Sequence, residues 1–198
     1  RQDAKPFDIQ VLTPMRKGLL GVERLNHILQ QYLNPKDTKK AEHEVGDRIF
    51  REGDKVMQIK NNYDITWIRD DGEQGSGIFN GDIGIIDSID RKSRTLIVIF
   101  DDKTAKYTYE YATDLDFAYA VTVHKSQGNE FDCVIIPMFQ GPPQLYYRNL
   151  LYTAVTRAKK TLVLVGNPKT VEYMVQNNRR TKRYSGLKEF LLRDEQLY

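Results

Sequence analysis

The chain has 198 residues, 40% hydrophobic and 29% charged, with a formal net charge of +3, enough for one large globular domain or an ordinary one carrying a smaller insert. No apolar run approaches the roughly 20 residues of a membrane span, and a lone cysteine, Cys133, excludes an internal disulfide and a zinc-ligand cluster and fits a reducing compartment. The charge excess is too small to mark a nucleic-acid binder by itself, so local clusters must carry that argument. The chain begins at Arg1, with neither an initiator methionine nor a signal-peptide pattern, and is expected to be an excerpt of a longer protein.

Ile9-Gln10-Val11-Leu12 reads as a short strand, followed by a turn over residues 13–18 that carries the basic pair Arg16 and Lys17. From Gly21 to Leu33 the residues Val22, Leu25, Ile28, Leu29 and Leu33 recur at helical spacing, and Asn34-Pro35 ends that helix. Residues 35–44 are polar and read as a connector. From Val45 to about Tyr111 the style changes to short strands at 55–58, 65–69, 83–89, 95–100 and 105–109, which suggest a small barrel. Asn80-Gly81 signals a hairpin turn, and Asp101-Asp102-Lys103 separates two runs able to pair. Leu96, Val98 and Phe100 alternate with Ile97 and Ile99, so that strand is expected to be central. Tyr63, Trp67, Phe79, Tyr107, Tyr109 and Tyr111 offer stacking faces for a single strand. They equally suit the core of a small barrel, which is the reading preferred.

Residues 122–131, TVHKSQGNEF, pack small polar, basic and acidic groups between two apolar runs, 117–121 and 133–137. Threonine, histidine, lysine and serine within five residues offer the several donors a phosphate backbone needs, Gly128 permits a tight turn, and Glu130 is a lone acceptor suited to a sugar hydroxyl. The periodicity over 117–128 fits a helix or a strand. Residues 133–137 read as a strand buried on both faces. Gly141-Pro142-Pro143 breaks the chain before a helix that starts near Gln144. On it Leu150, Leu151, Ala154, Val155 and Ala158 can face a core while Asn149, Thr153 and Arg157 recur at four-residue steps. A buried strand at 162–165 and a helix at 168–176, with Val171, Met174 and Val175 inward, complete the pattern. A basic run, Arg179, Arg180, Lys182 and Arg183, precedes a short amphipathic stretch over 187–192.

The words TVHKSQGNEFD and YTAVTRAKK, in this order, resemble motifs V and VI of superfamily 1 helicases, and most closely the RecD-type members. IQVLTPMRKGLLGVERLN resembles their motif IV. The resemblance implies an α/β fold: a RecA-like (P-loop NTPase-type) second motor domain with a mostly parallel sheet, over residues 1–44 and 112–198. An SH3-like β-barrel is then inserted at 45–111, where GDKVMQ, NNYD and FNGDIG look like that insert. It favours a helix ending near Gly128. It implies that Arg157 is an arginine finger projecting into the cleft, that Gln127, Gly128, Glu130 and Arg16 face the nucleotide, and that Thr122, His124, Lys125 and Ser126 touch DNA phosphates. No residue is assigned to a metal.

There is no GxxxxGK[ST] loop, so the chain is not expected to be a complete ATPase; the resemblance implies that ATP with Mg2+ is bound mainly by an N-terminal RecA-like domain of the same protein. The implied partners are single-stranded DNA, that first motor domain and other recombination or repair subunits, with no membrane. The implied activity is ATP-dependent helicase movement from 5′ to 3′ in a bacterial cytoplasm. The alternatives are a non-enzymatic nucleic-acid or protein adaptor, which would use the barrel alone, and an inactive helicase subunit.

Overall fold

The computed structural model describes residues 8–178. The basic run at 179–183 and the amphipathic stretch at 187–192 lie outside the described residues. In chain order the first elements are β1 (Ile9–Thr13), α1 (Val22–Leu33), β2 (Glu42–Val45), β3 (Arg48–Arg51), β4 (Lys55–Gln58), β5 (Asn62–Arg69) and β6 (Gln74–Ile78). There follow β7 (Ile83–Asp90), β8 (Thr95–Phe100), β9 (Lys103–Thr108), a 3-10 turn over Tyr111–Asp114 and β10 (Leu115–Phe117). The last are β11 (Ala120–Thr122), β12 (Phe131–Met138), α2 (Arg148–Val155), β13 (Ala158–Gly166) and α3 (Pro168–Gln176).

These build two main sheets. One has the order β11-β1-β12-β13 with every pairing parallel. Helices connect or follow its strands, and Leu12, Val121, Val134, Ile136, Leu150 and Met174 fill a shared core. The other runs β10-β4-β7-β8-β9-β5-β6, all antiparallel. Its core holds Val56, Ile65, Ile86, Leu96, Val98 and Tyr107, and the β2–β3 hairpin adds Val45 and Phe50. As its alternation requires, β8 lies inside that sheet between β7 and β9, with Leu96, Val98 and Phe100 buried.

Several expectations are corrected by the structure. The connector at 35–44 ends in β2, whose polar sequence EHEV hides a strand because only one partner, β3, supports it. β6, QGSGI, carries no strand signal, since glycine and serine have low β-propensity; it exists because β5 supplies its ladder. Asn80-Gly81 does form a turn, with Asp82 N–H donating to the Phe79 carbonyl at 3.0 Å and Gly81 at φ 103°. That turn joins β6 to β7, which are not neighbours, so no hairpin results. The helix favoured before Gly128 is absent: residues 120–122 pair with β1 as strand β11, and only the Ser126 N–H to Thr122 carbonyl bond, 3.1 Å, has helical spacing. The helix expected from Gln144 starts at Arg148. The apolar strand at 162–165 is not buried: β13 is a sheet edge, and Leu162, Val163, Leu164 and Val165 are each about two-fifths exposed or more. Cys133 is half-buried. In α3 Met174 is buried and Val171 packs on the core, but Val175 is exposed because the inward face centres on Thr170 and Met174.

The largest departure is in α1. Its apolar residues Val22, Leu25, Ile28 and Leu29 are half-buried and Leu33 is exposed, whereas the fully buried stripe is Asn26 and Gln30, continued by Asn34 just past the helix. Asn26 accepts from Ala120 N–H at 2.7 Å and donates to the Phe117 and Ala120 carbonyls. Gln30 and Asn34 donate to the two oxygens of Asp54 at 2.7 and 2.6 Å. Arg51 N–H and the Tyr119 hydroxyl add two further donors to the same carboxyl, both at 2.8 Å. Asp54 is fully buried, and burial pushes its carboxyl above the usual range while these donors pull it down. The first helix is thus joined to the second sheet by buried polar bonds. Beside them Lys55, also buried, donates to the Ile9 carbonyl at 3.0 Å.

Candidate nucleotide and nucleic-acid site

Parallel strands put all their C-terminal ends on one edge of a sheet, and the sequence-predicted residues divide between the two edges. Thr13, at the end of β1, stands beside Thr122, at the end of β11. The turn after Thr13 is stapled by its hydroxyl, which donates to the Leu20 carbonyl at 2.7 Å and accepts from Met15 N–H at 3.3 Å. Arg16 and Lys17 project from that turn and are exposed, with Arg16 3.4 Å from Glu23. Phe131, by contrast, opens β12 beside Ala158 at the start of β13. Six residues of strand separate the two edges, roughly 20 Å at about 3.3 Å per residue. The loop over 123–130 crosses from one to the other.

At the Thr122 edge, the Thr122 hydroxyl accepts from Lys125 N–H at 3.2 Å. The side chains of His124 and Lys125 are exposed. Ser126 differs: it is fully buried and its hydroxyl donates to the Val123 carbonyl at 2.8 Å, so it closes the loop from inside. Past it, Gln127 and Gly128 are exposed. Gly128 has φ 93° with open space where a Cβ would point, so its requirement is conformational rather than steric. Glu130 is not the lone acceptor expected: it lies 3.7 Å from the Lys159 ammonium, a pair more than half exposed on both sides and easily exchanged for another donor.

At the Phe131 edge, Arg157 follows α2 directly. Its backbone carbonyl accepts from Phe131 N–H at 2.8 Å, which pins the head of β12 to the start of β13. The four-residue step read from the sequence survives past the helix end: the Thr153 hydroxyl donates to the Asn149 carbonyl at 2.8 Å, and Arg157 Nε donates to the Thr153 carbonyl at 3.2 Å. One terminal nitrogen donates to the Asn129 carbonyl at 3.1 Å and the other to the Thr156 hydroxyl at 3.3 Å. All three partners are neutral oxygens. Two of the five guanidinium donors have no partner among the described residues, and no carboxylate there neutralises the half-buried charge. Such a group can still take a bidentate anion.

Of the predicted nucleotide residues, Gly128 and Glu130 flank Asn129, whose carbonyl holds Arg157, whereas Arg16 stands on the Thr122 edge. Sequence reasoning missed Asn129, whose carbonyl holds Arg157 and whose amide donates to the Gly81 carbonyl of the second sheet at 3.2 Å. Its place inside the polar decamer was the only signal. Asn129, Glu130 and Phe131 line, with Lys55, Asp82 and Ile83, a cleft of about 320 Å³ between the loop and the second sheet. Among the barrel aromatics, Tyr107 is buried and donates to Gln58, Tyr109 stacks on His43, and Tyr63 and Phe79 are exposed in an edge-on pair.

Two family models match the chain: the ATP-dependent RecD-like DNA helicase SH3 domain over residues 25–100 and the UvrD-like helicase C-terminal domain over residues 117–165. The chain is 36% identical over 169 residues to the ATP-dependent RecD2 DNA helicase of Deinococcus radiodurans, covering 84% of this chain and 21% of that protein. It is 36% identical over 120 residues to the RecBCD enzyme subunit RecD of Mycobacterium tuberculosis, covering 59% of this chain and 20% of that subunit. The crystal structure of Bacteroides Pif1 bound to ssDNA superposes with a TM-score of 0.54 at 16% identity, over all of this chain and 47% of that one, and so shares its fold. The parallel sheet is the RecA-like part of that helicase fold and the antiparallel sheet its SH3-like part. No helix among the described residues is long and apolar enough to cross a membrane. Spanning only about a fifth of the length of these curated relatives, the chain belongs to the RecD-like DNA helicase family.

Proposed function

We propose that this chain is the second motor half of an ATP-dependent DNA helicase acting in repair or recombination, with movement from 5′ to 3′ along a single strand. Names of relatives support the class: an ATP-dependent RecD2 DNA helicase and a Pif1 crystallised on ssDNA. ATP with Mg2+ is held mainly by a first motor domain, and Arg157, Gln127, Gly128 and Glu130 close on it from this side. Arg157 offsets charge developing on the transferred phosphoryl group, and Glu130 takes the ribose after exchanging Lys159. Thr122, His124 and Lys125 hold the DNA backbone; Arg16, by its sheet edge, belongs with them, and Ser126 shapes the loop that carries them. The same reading divides the chain into a motor part, 1–44 and 112–198, and an inserted barrel, 45–111. Two separate hydrophobic cores support that division, although β2 begins before it and β10 lies beyond it.

The observation that carries the proposal is the under-neutralised guanidinium of Arg157, held among the described residues only by neutral oxygens, at the end of a loop whose other end presents the basic residues. In the full-length protein Arg157→Ala should retain ATP and DNA binding while DNA-stimulated hydrolysis falls by on the order of 10³-fold. Arg157→Lys should restore little, because an ammonium lacks the planar fork. A folded Ala variant that hydrolyses ATP at close to the unmodified rate would remove the finger and this reading with it.

A further inference from the structure

Arg157 and the barrel are joined through one residue, Asn129. The Asn129 carbonyl accepts from the Arg157 guanidinium at 3.1 Å, and the amide of the same residue donates to the Gly81 carbonyl at 3.2 Å. Asn129 N–H is itself tied to the Ser126 carbonyl at 3.1 Å, so its backbone cannot drift independently of the buried Ser126. On the barrel side Gly81 is equally well anchored. Its N–H donates to the Gln58 carbonyl at 2.9 Å, Gln58 N–H donates to the Asp82 carbonyl at 2.9 Å, and the fully buried Gln58 side chain accepts from Tyr107 at 2.9 Å. The turn is fixed further by Asp82, which accepts from Phe79 N–H, and by Asn61, which accepts from Asn80 N–H. Exposed Phe79 opens this turn and pairs edge-on with exposed Tyr63 of β5.

We infer that Asn129 is a positioning residue that couples the state of Arg157 to the barrel turn at 79–82, and so couples nucleotide occupancy to the exposed Phe79–Tyr63 pair, which offers the single strand a further stacking face. The inference rests on the helicase reading above. When Arg157 turns toward a phosphate it relinquishes or shifts its bond to the Asn129 carbonyl, and the same peptide carries the amide that holds Gly81. A shift at one end is then felt at the other without any change in the barrel core. Coupling is a difference in free energy between two occupied states. The test must therefore read that difference directly.

In the full-length protein, affinity for a labelled oligothymidylate is measured without nucleotide and with ADP–aluminium fluoride, and the ratio of the two affinities is the coupling. Asn129→Ala should move that ratio at least threefold toward unity. Asn129→Leu, of similar size, uncharged and with no amide to donate to Gly81, should do the same, which separates lost coupling from lost packing. Both variants should melt with the unmodified protein. A ratio unchanged in either folded variant overturns the inference and leaves the helicase reading standing. An unmodified protein whose affinity does not respond to nucleotide overturns it too, since nothing would remain to transmit. Failure of the helicase reading shows elsewhere, as unimpaired hydrolysis in Arg157→Ala.

Discussion

The Asp54 joint and the Arg157 edge are both polar clusters built from residues distant in sequence, yet they are opposite in kind. At the joint a buried carboxylate receives four donors, from Gln30, Asn34, Arg51 and Tyr119, and each of its oxygens accepts two. At the edge a guanidinium rests, among the described residues, on neutral oxygens with donors to spare. A polar group completely satisfied within its own chain serves structure, because any ligand would have to displace what already holds it. One left short of partners where solvent reaches it is available for work. Charge and burial alone would not separate the two; the count of satisfied bonds does.

This contrast is sharpest if each cluster is damaged separately. Arg157→Ala, which should lower hydrolysis by about 10³-fold, should change the folding free energy by no more than about 1 kcal/mol, because its hydrogen bonds are to neutral oxygens that water can satisfy in its place. A large fall in stability would make Arg157 part of a structural cluster and erase the distinction. Asp54→Asn should do the reverse. It sets an amide against donors that need an acceptor and should destabilise the chain by about 3 kcal/mol, the scale of breaking a buried charged network. Denaturant unfolding of the isolated chain reads this, and a loss under about 1 kcal/mol would show that the joint tolerates a neutral group.

Lys55 offers a test of the joint by pH. Burial lowers its ammonium from the ordinary 10.5 to about 8, so between those values the folded chain binds fewer protons than the unfolded one. Stability from this group therefore rises as pH is raised from about 8 toward 10.5. Lys55→Met should flatten that rise in melts taken across the window; an unchanged slope would mean the lysine is solvated in the folded state. The smallest effects belong to the Thr122 edge. Arg16→Ala and Lys125→Ala should each weaken oligonucleotide binding by the isolated chain a few-fold and reduce its salt slope by about 1. Ser126→Ala should leave that slope alone and cost about 1 kcal/mol of stability. A salt slope that drops in Ser126→Ala but not in Arg16→Ala would reverse the assignment of those two residues.

Much of this was legible in the chain itself. The strand and helix periods at 9–13, 22–33, 95–100 and 168–176 are local, as are the two motifs and the four-residue step from Thr153 to Arg157. What escaped had partners remote in sequence. Nothing near Asn26, Gln30 or Asn34 says that a helix with a clear apolar stripe buries its polar one, because the acceptors and donors that allow it stand at residues 54, 117 and 120. β6 exists only through β5, and β13 reads as buried but lies at an edge. The residue types at 16, 127, 130 and 157 were fixed by the sequence as candidates, but their grouping was not. Side-chain chemistry and period are properties of neighbouring residues and can be read along the chain. Which end of a parallel sheet a loop leaves from, and which carbonyl an arginine finds there, depends on strand order and register, and those are decided only when all four strands have paired.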